Sequence, residues 1–145
     1  METVQNELSL LCRHADTDLA EVLAMEGVAM LAFSPLGAGL LTGKYQGGAM
    51  PPGSRKALNG DLGGRASPRV EGAVAAYLAL VAEHGMDPVH VALAWHRTRS
   101  FASIPIVGAT TAEQLARSLK GIEAQISPDL AQAIDAVHCQ HPMPF

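Results

Sequence analysis

Val28-Ala29-Met30-Leu31-Ala32-Phe33 is an unbroken run of six apolar residues, closed by Ser34-Pro35. A run this short, without polar alternation, reads as a strand buried on both faces, as in a parallel sheet. Working outward, Thr3 to Leu11 is short and mixed and reads as a strand running into a loop. Asp16-Thr17-Asp18 offers helix N-caps, Leu19, Val22 and Leu23 follow at helical spacing, and Gly27 suits the position after a helix end. Downstream, residues 34–69 form a long stretch rich in Gly and Pro. A loop of that length inside a compact domain is more often functional than idle. Ser67-Pro68 and Asp87-Pro88 are helix starts, with the cap residue followed by Pro at the first helical position. They predict one helix through Val70, Val74, Tyr77, Leu78 and Val81, and a second from Val89 to about Arg99 with Val91, Ala92 and Trp95 turned inward. Ser103 to Val107 is another apolar run, ended by Gly108. Thr110 or Thr111 can cap a helix from Ala112 to about Leu119, and Ser127-Pro128 starts a last helix through Leu130, Ile134 and Val137.

Strands that alternate with helices imply βαβ units and a parallel sheet. The fold class expected is therefore α/β. An eight-stranded β/α barrel takes about 250 residues. A chain of 145 residues with three visible strands resembles the last third of one.

Composition narrows the function classes. Apolar residues make up 48% and charged residues 17%, enough to bury a core. Aromatics are only 4%, so that core is built mainly from Ala, Leu, Val and Ile. A net charge of −4 argues against a nucleic-acid or anionic-membrane partner, which needs a concentrated basic face. Cys12 and Cys139 lie far apart and form neither a disulfide framework nor a zinc pattern, and no metal site is expected. No apolar run is long enough to span a bilayer, and the first residues do not read as a signal peptide. A cytoplasmic protein is expected.

Three constellations could carry chemistry. Gln5, in Val4-Gln5-Asn6-Glu7, stands where a strand ends. Its amide could bond another amide through donor and acceptor together, or simply be a polar strand end. The segment Phe33-Ser34-Pro35-Leu36-Gly37-Ala38-Gly39-Leu40-Leu41-Thr42-Gly43-Lys44-Tyr45 leads a strand into a Gly-rich loop. Glycines allow backbone N–H groups to approach an anion, and Lys44 could pair with a phosphate. The spacing is not that of a P-loop, and a plain surface loop remains open. Finally, Ile104-Pro105-Ile106-Val107-Gly108-Ala109-Thr110-Thr111-Ala112-Glu113-Gln114-Leu115 joins a strand, a Gly and hydroxyl residues to a helix N-terminus. That is either a phosphate site or an ordinary capped helix.

In this order, VQNE, FSPLGAGLLTGKY, PPGSR and IPIVGATTAEQL resemble the aldo/keto reductase superfamily, and most of all its branch related to potassium-channel β subunits and bacterial reductases. The resemblance runs from Val4 to Pro144. It implies a (β/α)8 TIM barrel, present here from roughly strand six to the C-terminal helices, with residues 1–145 as the C-terminal portion of one oxidoreductase domain. It also implies NADP as cofactor and a carbonyl substrate, an aldehyde or ketone. Gln5 would contact the nicotinamide carboxamide, and Phe33 stands where the family stacks an aromatic on the nicotinamide ring. Ser34, Leu36 and Gly37 would line the pyrophosphate path. Lys44 and Arg55 would reach the phosphates, the ribose 2′-phosphate included, and Gly108, Thr110 and Gln114 would hold the adenosine end.

Two departures stand out. Arg117-Ser118 falls where relatives often have Glu-Asn against the adenine, and an Arg there could stack on the adenine or meet a phosphate. The family's catalytic Asp, Tyr, Lys and His come from the ends of earlier strands. Tyr45, Tyr77, Lys56 and His96 do not stand in matching motifs, so no residue here is given a catalytic role. Three parallel strands leave two open edges. Self-association, or pairing with a missing N-terminal half, is the expected consequence.

Overall fold

The computed structural model describes residues 2–145. Three parallel strands, β1 (Thr3–Glu7), β2 (Ala29–Phe33) and β3 (Ser103–Pro105), form one sheet in the order β1-β2-β3. In register, Gln5 lies opposite Leu31, and Leu31 opposite Ile104. Seven α-helices accompany the sheet among the described residues: α1 (His14–Asp18), α2 (Ala20–Glu26), α3 (Arg55–Asn59), α4 (Pro68–Glu83), α5 (Pro88–Ala94), α6 (Ala112–Glu123) and α7 (Pro128–Gln140).

The sheet is covered on one side only. Met30 and Ala32 are fully buried and join a core with Leu8, Leu11, Tyr77, Trp95, Leu130 and Ile134. On the other face Phe33, Ile104 and Ile106 remain 38%, 50% and 43% exposed. This corrects the reading of the VAMLAF run as buried on both faces. Alternate side chains of a strand point to opposite faces, and the second face has no packing layer among the described residues.

Helix starts follow their sequence signals. The Ser67 hydroxyl accepts from the Val70 N–H, and Ser127 accepts from Leu130. The Asp87 carboxylate accepts from Val89 at 2.8 Å and from His90. Caps of this kind contribute about 1 kcal/mol each. Asp16 does otherwise. The helix there begins two residues earlier, at His14, without a side-chain cap, and breaks between α1 and α2 at Leu19. Asp16 Oδ2 instead accepts from Arg13 and, at 2.7 Å, from Arg99. Both guanidiniums lie over the buried indole of Trp95, 5.0 and 4.2 Å from its ring centre. Arg13 also donates to Asp135 of α7 at 2.8 Å. Charge-assisted bonds in a sheltered site are about twice as strong as neutral ones, which explains why the pairing prevails over capping.

Three further bounds differ from expectation. The helix expected to reach Arg99 ends at Ala94 and tightens into a 3₁₀ turn over 95–98. The SIPIV run pairs over Ser103–Pro105 alone. The long loop contains α3 and two 3₁₀ turns, at 37–42 and 46–48.

His96 is fully buried. Its Nδ1 lies 2.8 Å from the Ser103 hydroxyl, while Nε2 has no partner. Burial first, then the nearby Arg99 charge, push its pKa down to about 4, against a pull upward from Asp16. In the unfolded chain a histidine titrates near 6.5. Between those values the unfolded state binds more protons, so stability falls as pH drops through this window, by up to about 3 kcal/mol. We therefore expect the stability difference between wild type and His96→Asn, measured by urea unfolding, to shrink by about that amount from pH 7 to pH 4. A difference that stays constant with pH would contradict the assignment.

Candidate functional site

Parallel pairing brings the strand ends to one rim. Glu7 lies opposite Phe33, and the Ile106 N–H donates to Ala32 O at 2.8 Å. The segments after β1, β2 and β3 thus leave the sheet at one end. By register and alternation, Gln5, Leu31, Phe33 and Ile104 share the open face. The structure therefore brings Gln5 and Phe33 together on that face.

After β2 the chain makes a tight turn. Ser34 has a positive φ of 54°, a conformation an L-residue holds only under constraint. The Gly37 N–H donates to Ser34 O at 2.8 Å, and the Gly39 and Leu41 N–H groups both converge on Leu36 O. The Leu36 side chain packs against the core. Two glycines in the turn hold positive φ, 55° at Gly37 and 92° at Gly39, which favours a residue without a Cβ. A Cβ at Gly37 would lie 2.9 Å from Leu11 Cδ1. At Gly39, where φ is +92°, it would lie 3.0 Å from Lys44 Cε and 3.1 Å from Lys44 Nζ. The Lys44 side chain is thus folded back over the turn, with its ammonium 5.0 Å from the centre of the Tyr45 ring. Thr42 Oγ1 donates to Gly39 O at 2.8 Å and accepts from the Lys44 N–H at 3.3 Å, which closes the turn.

Arg55 is the exposed first residue of α3, whose N-terminus is capped by Ser54. Among the described residues neither Lys44 nor Arg55 forms an ion pair, and no hydrogen bond links Arg55 to the other predicted site residues. After β3, Gly108 is exposed and Thr111, rather than Thr110, caps α6 by accepting from the Gln114 N–H. Gln114 Oε1 in turn accepts from the N–H and the hydroxyl of Thr110, both at 3.1 Å. Thr110 and Gln114 are thereby held together. Arg117 meets a protein carboxylate: its Nε and Nη2 donate to Asp87 at 2.8 and 2.9 Å. Burial opposes the Asp87 charge, but Arg117 and the capped N–H of Val89 hold its carboxyl below the usual range. Ser118 is buried.

Sequence reading missed the contact that ties the long loop to the rim. Arg65 Nη2 donates to both carboxylate oxygens of Glu7, at 2.8 and 2.6 Å. Its Nη1 donates to Leu62 O and Gly63 O, and its guanidinium lies 4.9 Å from the ring centre of Phe145. The one available signal was an acid at a strand end beside the buried Leu8, and nothing marked Arg65 as its partner. Among the described residues no group of His, Cys, Asp and Glu could hold a metal, and no helix is long and apolar enough to cross a membrane.

The sequence pattern of the aldo/keto reductase family matches residues 1–138. The chain belongs to that family. It is 42% identical over 136 residues to Protein tas of Escherichia coli (strain K12), covering 94% of this chain and 39% of that protein. A protein of Schizosaccharomyces pombe, named as a voltage-gated potassium channel subunit beta, is 30% identical over 131 residues, covering 86% of this chain and 38% of its own length. Among solved structures, the glycerol dehydrogenase of Gluconobacter oxydans superposes with a TM-score of 0.74 at 20% identity, covering 97% of this chain and 43% of that one. That likeness is one of fold. The chain spans about two fifths of the length of the curated relatives it matches.

Because Glu7 and Arg65 are largely sheltered, 15% and 19% exposed at their side chains, removing one charge leaves the other poorly solvated. We expect Glu7→Gln to lower stability by about 2 kcal/mol, and Glu7→Gln with Arg65→Met to cost less than the two single changes added together. Additive single effects in urea unfolding would show that the pair does not couple.

Proposed function

We propose that the chain is the C-terminal, cofactor-binding part of an NADP-dependent aldo/keto reductase that acts on aldehydes or ketones. In this reading β1, β2 and β3 are strands six to eight of a (β/α)8 barrel, and the open face bearing Phe33 and Ile104 looks into the barrel interior. The observation that carries the reading is the turn after β2. Its glycine at Gly39 leaves room for the Lys44 ammonium where a Cβ would intrude, and among the described residues no carboxylate pairs with that ammonium.

The donor set suits a dinucleotide. Lys44 and Arg55 are exposed cations free of ion pairs among the described residues, which fits a polyphosphate. Phe33 offers an exposed ring and Gln5 an amide on the same face, which fits a flat ring bearing a carboxamide. Ser34, Leu36 and Gly37 would line the pyrophosphate path. Gly108, Thr110 and Gln114 would hold the adenosine end. Since Arg117 is engaged by Asp87, adenine contacts fall to the Gln114 side of α6.

When bound, the cofactor supplies hydride to the substrate carbonyl. The residues of this chain bind and orient it. The acid–base groups of a complete barrel would come from its earlier strands, and none is assigned here. A cytoplasmic location accords with this reading.

In this reading Arg55 distinguishes NADPH from NADH, because its free guanidinium would meet the 2′-phosphate. Titration should give tighter binding of NADPH than of NADH, with Arg55→Ala reducing that preference about tenfold. Equal dissociation constants for the two cofactors, or a preference unchanged in the variant, would count against the proposal.

A further inference from the structure

The long loop and α4 enclose a cleft of about 300 Å³, a volume at the lower end of small-molecule sites. Its walls come from separate parts of the chain. Leu40 belongs to the turn after β2, Leu62 to the far end of the loop and Val74 to α4, and all three are buried. Tyr45, 6% exposed, lies between them. Apolar surface shared by three segments that could have closed together, yet did not, points to a built concavity.

The polar groups at this cleft are unevenly satisfied. Lys56 lines it, and its ammonium lies 5.8 Å from the centre of the Tyr45 ring. The Lys56 backbone N–H also donates to Tyr45 Oη at 3.3 Å, so one tyrosine holds this residue at two points. Lys56 forms no ion pair among the described residues. Arg65 lines the same cleft. Its Nη groups are occupied by Glu7 and by two loop carbonyls, but its Nε is buried without an acceptor. That Nε is sealed from the cleft, so Lys56 is the cation that an occupant of the cleft can reach. One acid also lines the cleft: Glu71, exposed on the first turn of α4. It opposes an anion without pairing with Lys56.

We propose that this cleft is a second ligand site, one that takes a compact organic anion with an apolar body, such as an aryl-alkyl carboxylate. The apolar part fills the space between Leu40, Leu62 and Val74, and the carboxylate meets Lys56. The site does not depend on the dinucleotide reading, since none of its lining residues is assigned to the cofactor.

The test uses the full chain and calorimetric titration with 4-phenylbutyrate, alongside the neutral 4-phenylbutanol. Saturable binding of the acid is expected, with the alcohol about tenfold weaker or more. Ala75 is exposed and lines the cleft, so Ala75→Trp should fill the space and abolish binding. Lys56→Met should weaken it about tenfold, and Glu71→Gln should strengthen it. Lys56→Met decides the matter if Ala75→Trp loses the cooperative urea unfolding of the wild type. Absence of saturable binding, equal affinity for acid and alcohol, or binding unchanged by Lys56→Met would overturn the proposal.

Discussion

Parallel strands cannot be joined by a tight turn, so every connection must cross back over the sheet before the next strand begins. Here α1 and α2 make the first return, and the long loop, α4 and α5 make the second. The consequence is positional. All three strands run the same way, and the segments that follow them collect at one rim. The turn at 34–44, the end of β1 and the start of α6 are distant in sequence, yet the register brings them to the same edge of the sheet. The proposed dinucleotide contacts at Gln5, Phe33 and Gln114 depend on that alignment.

The helical layer is held in place by charge as well as by apolar packing. Asp16 accepts from two arginines that both lie over Trp95, and one of them continues to Asp135 on α7. Such a network is weak evidence of stability, because desolvating the ions offsets much of their attraction. Its geometric effect is plainer. A buried carboxylate with two cationic partners tolerates few alternative arrangements, and it joins α1, the segment before β3 and α7 at one point. At the rim, Glu7 and Arg65 perform the same task, tying the end of the long loop to the end of β1.

How much could be read beforehand depended on the range of the interaction concerned. Ser67, Asp87 and Ser127 cap their helices as their spacing suggests, because a cap oxygen and the N–H that donates to it lie within three residues of one another. The contiguous turn from Phe33 to Lys44 was legible for the same reason, and so was the Thr111–Gln114 helix start. Asp16 looked like a cap because its deciding partner, Arg99, lies 83 residues away. The Glu7–Arg65 pair, at a separation of 58, left no local signal either. Nor did the cleft beside α4, whose walls are contributed by three remote segments. The apolar run of β2 correctly announced a parallel strand, but composition alone does not tell which face a chain covers for itself. Phe33 and Ile104 stay exposed on the face that no other described segment covers.

In the proposed function one dinucleotide spans the three strand ends. Hydrogen–deuterium exchange with and without NADPH tests it most directly, because it reports on each segment separately. Bound cofactor is expected to slow exchange together in the residues after β1, in the turn at 34–44 and in the start of α6 at 108–115, while α7 is unaffected. Protection confined to one of these segments, or none at saturating cofactor, would contradict a shared site at the rim.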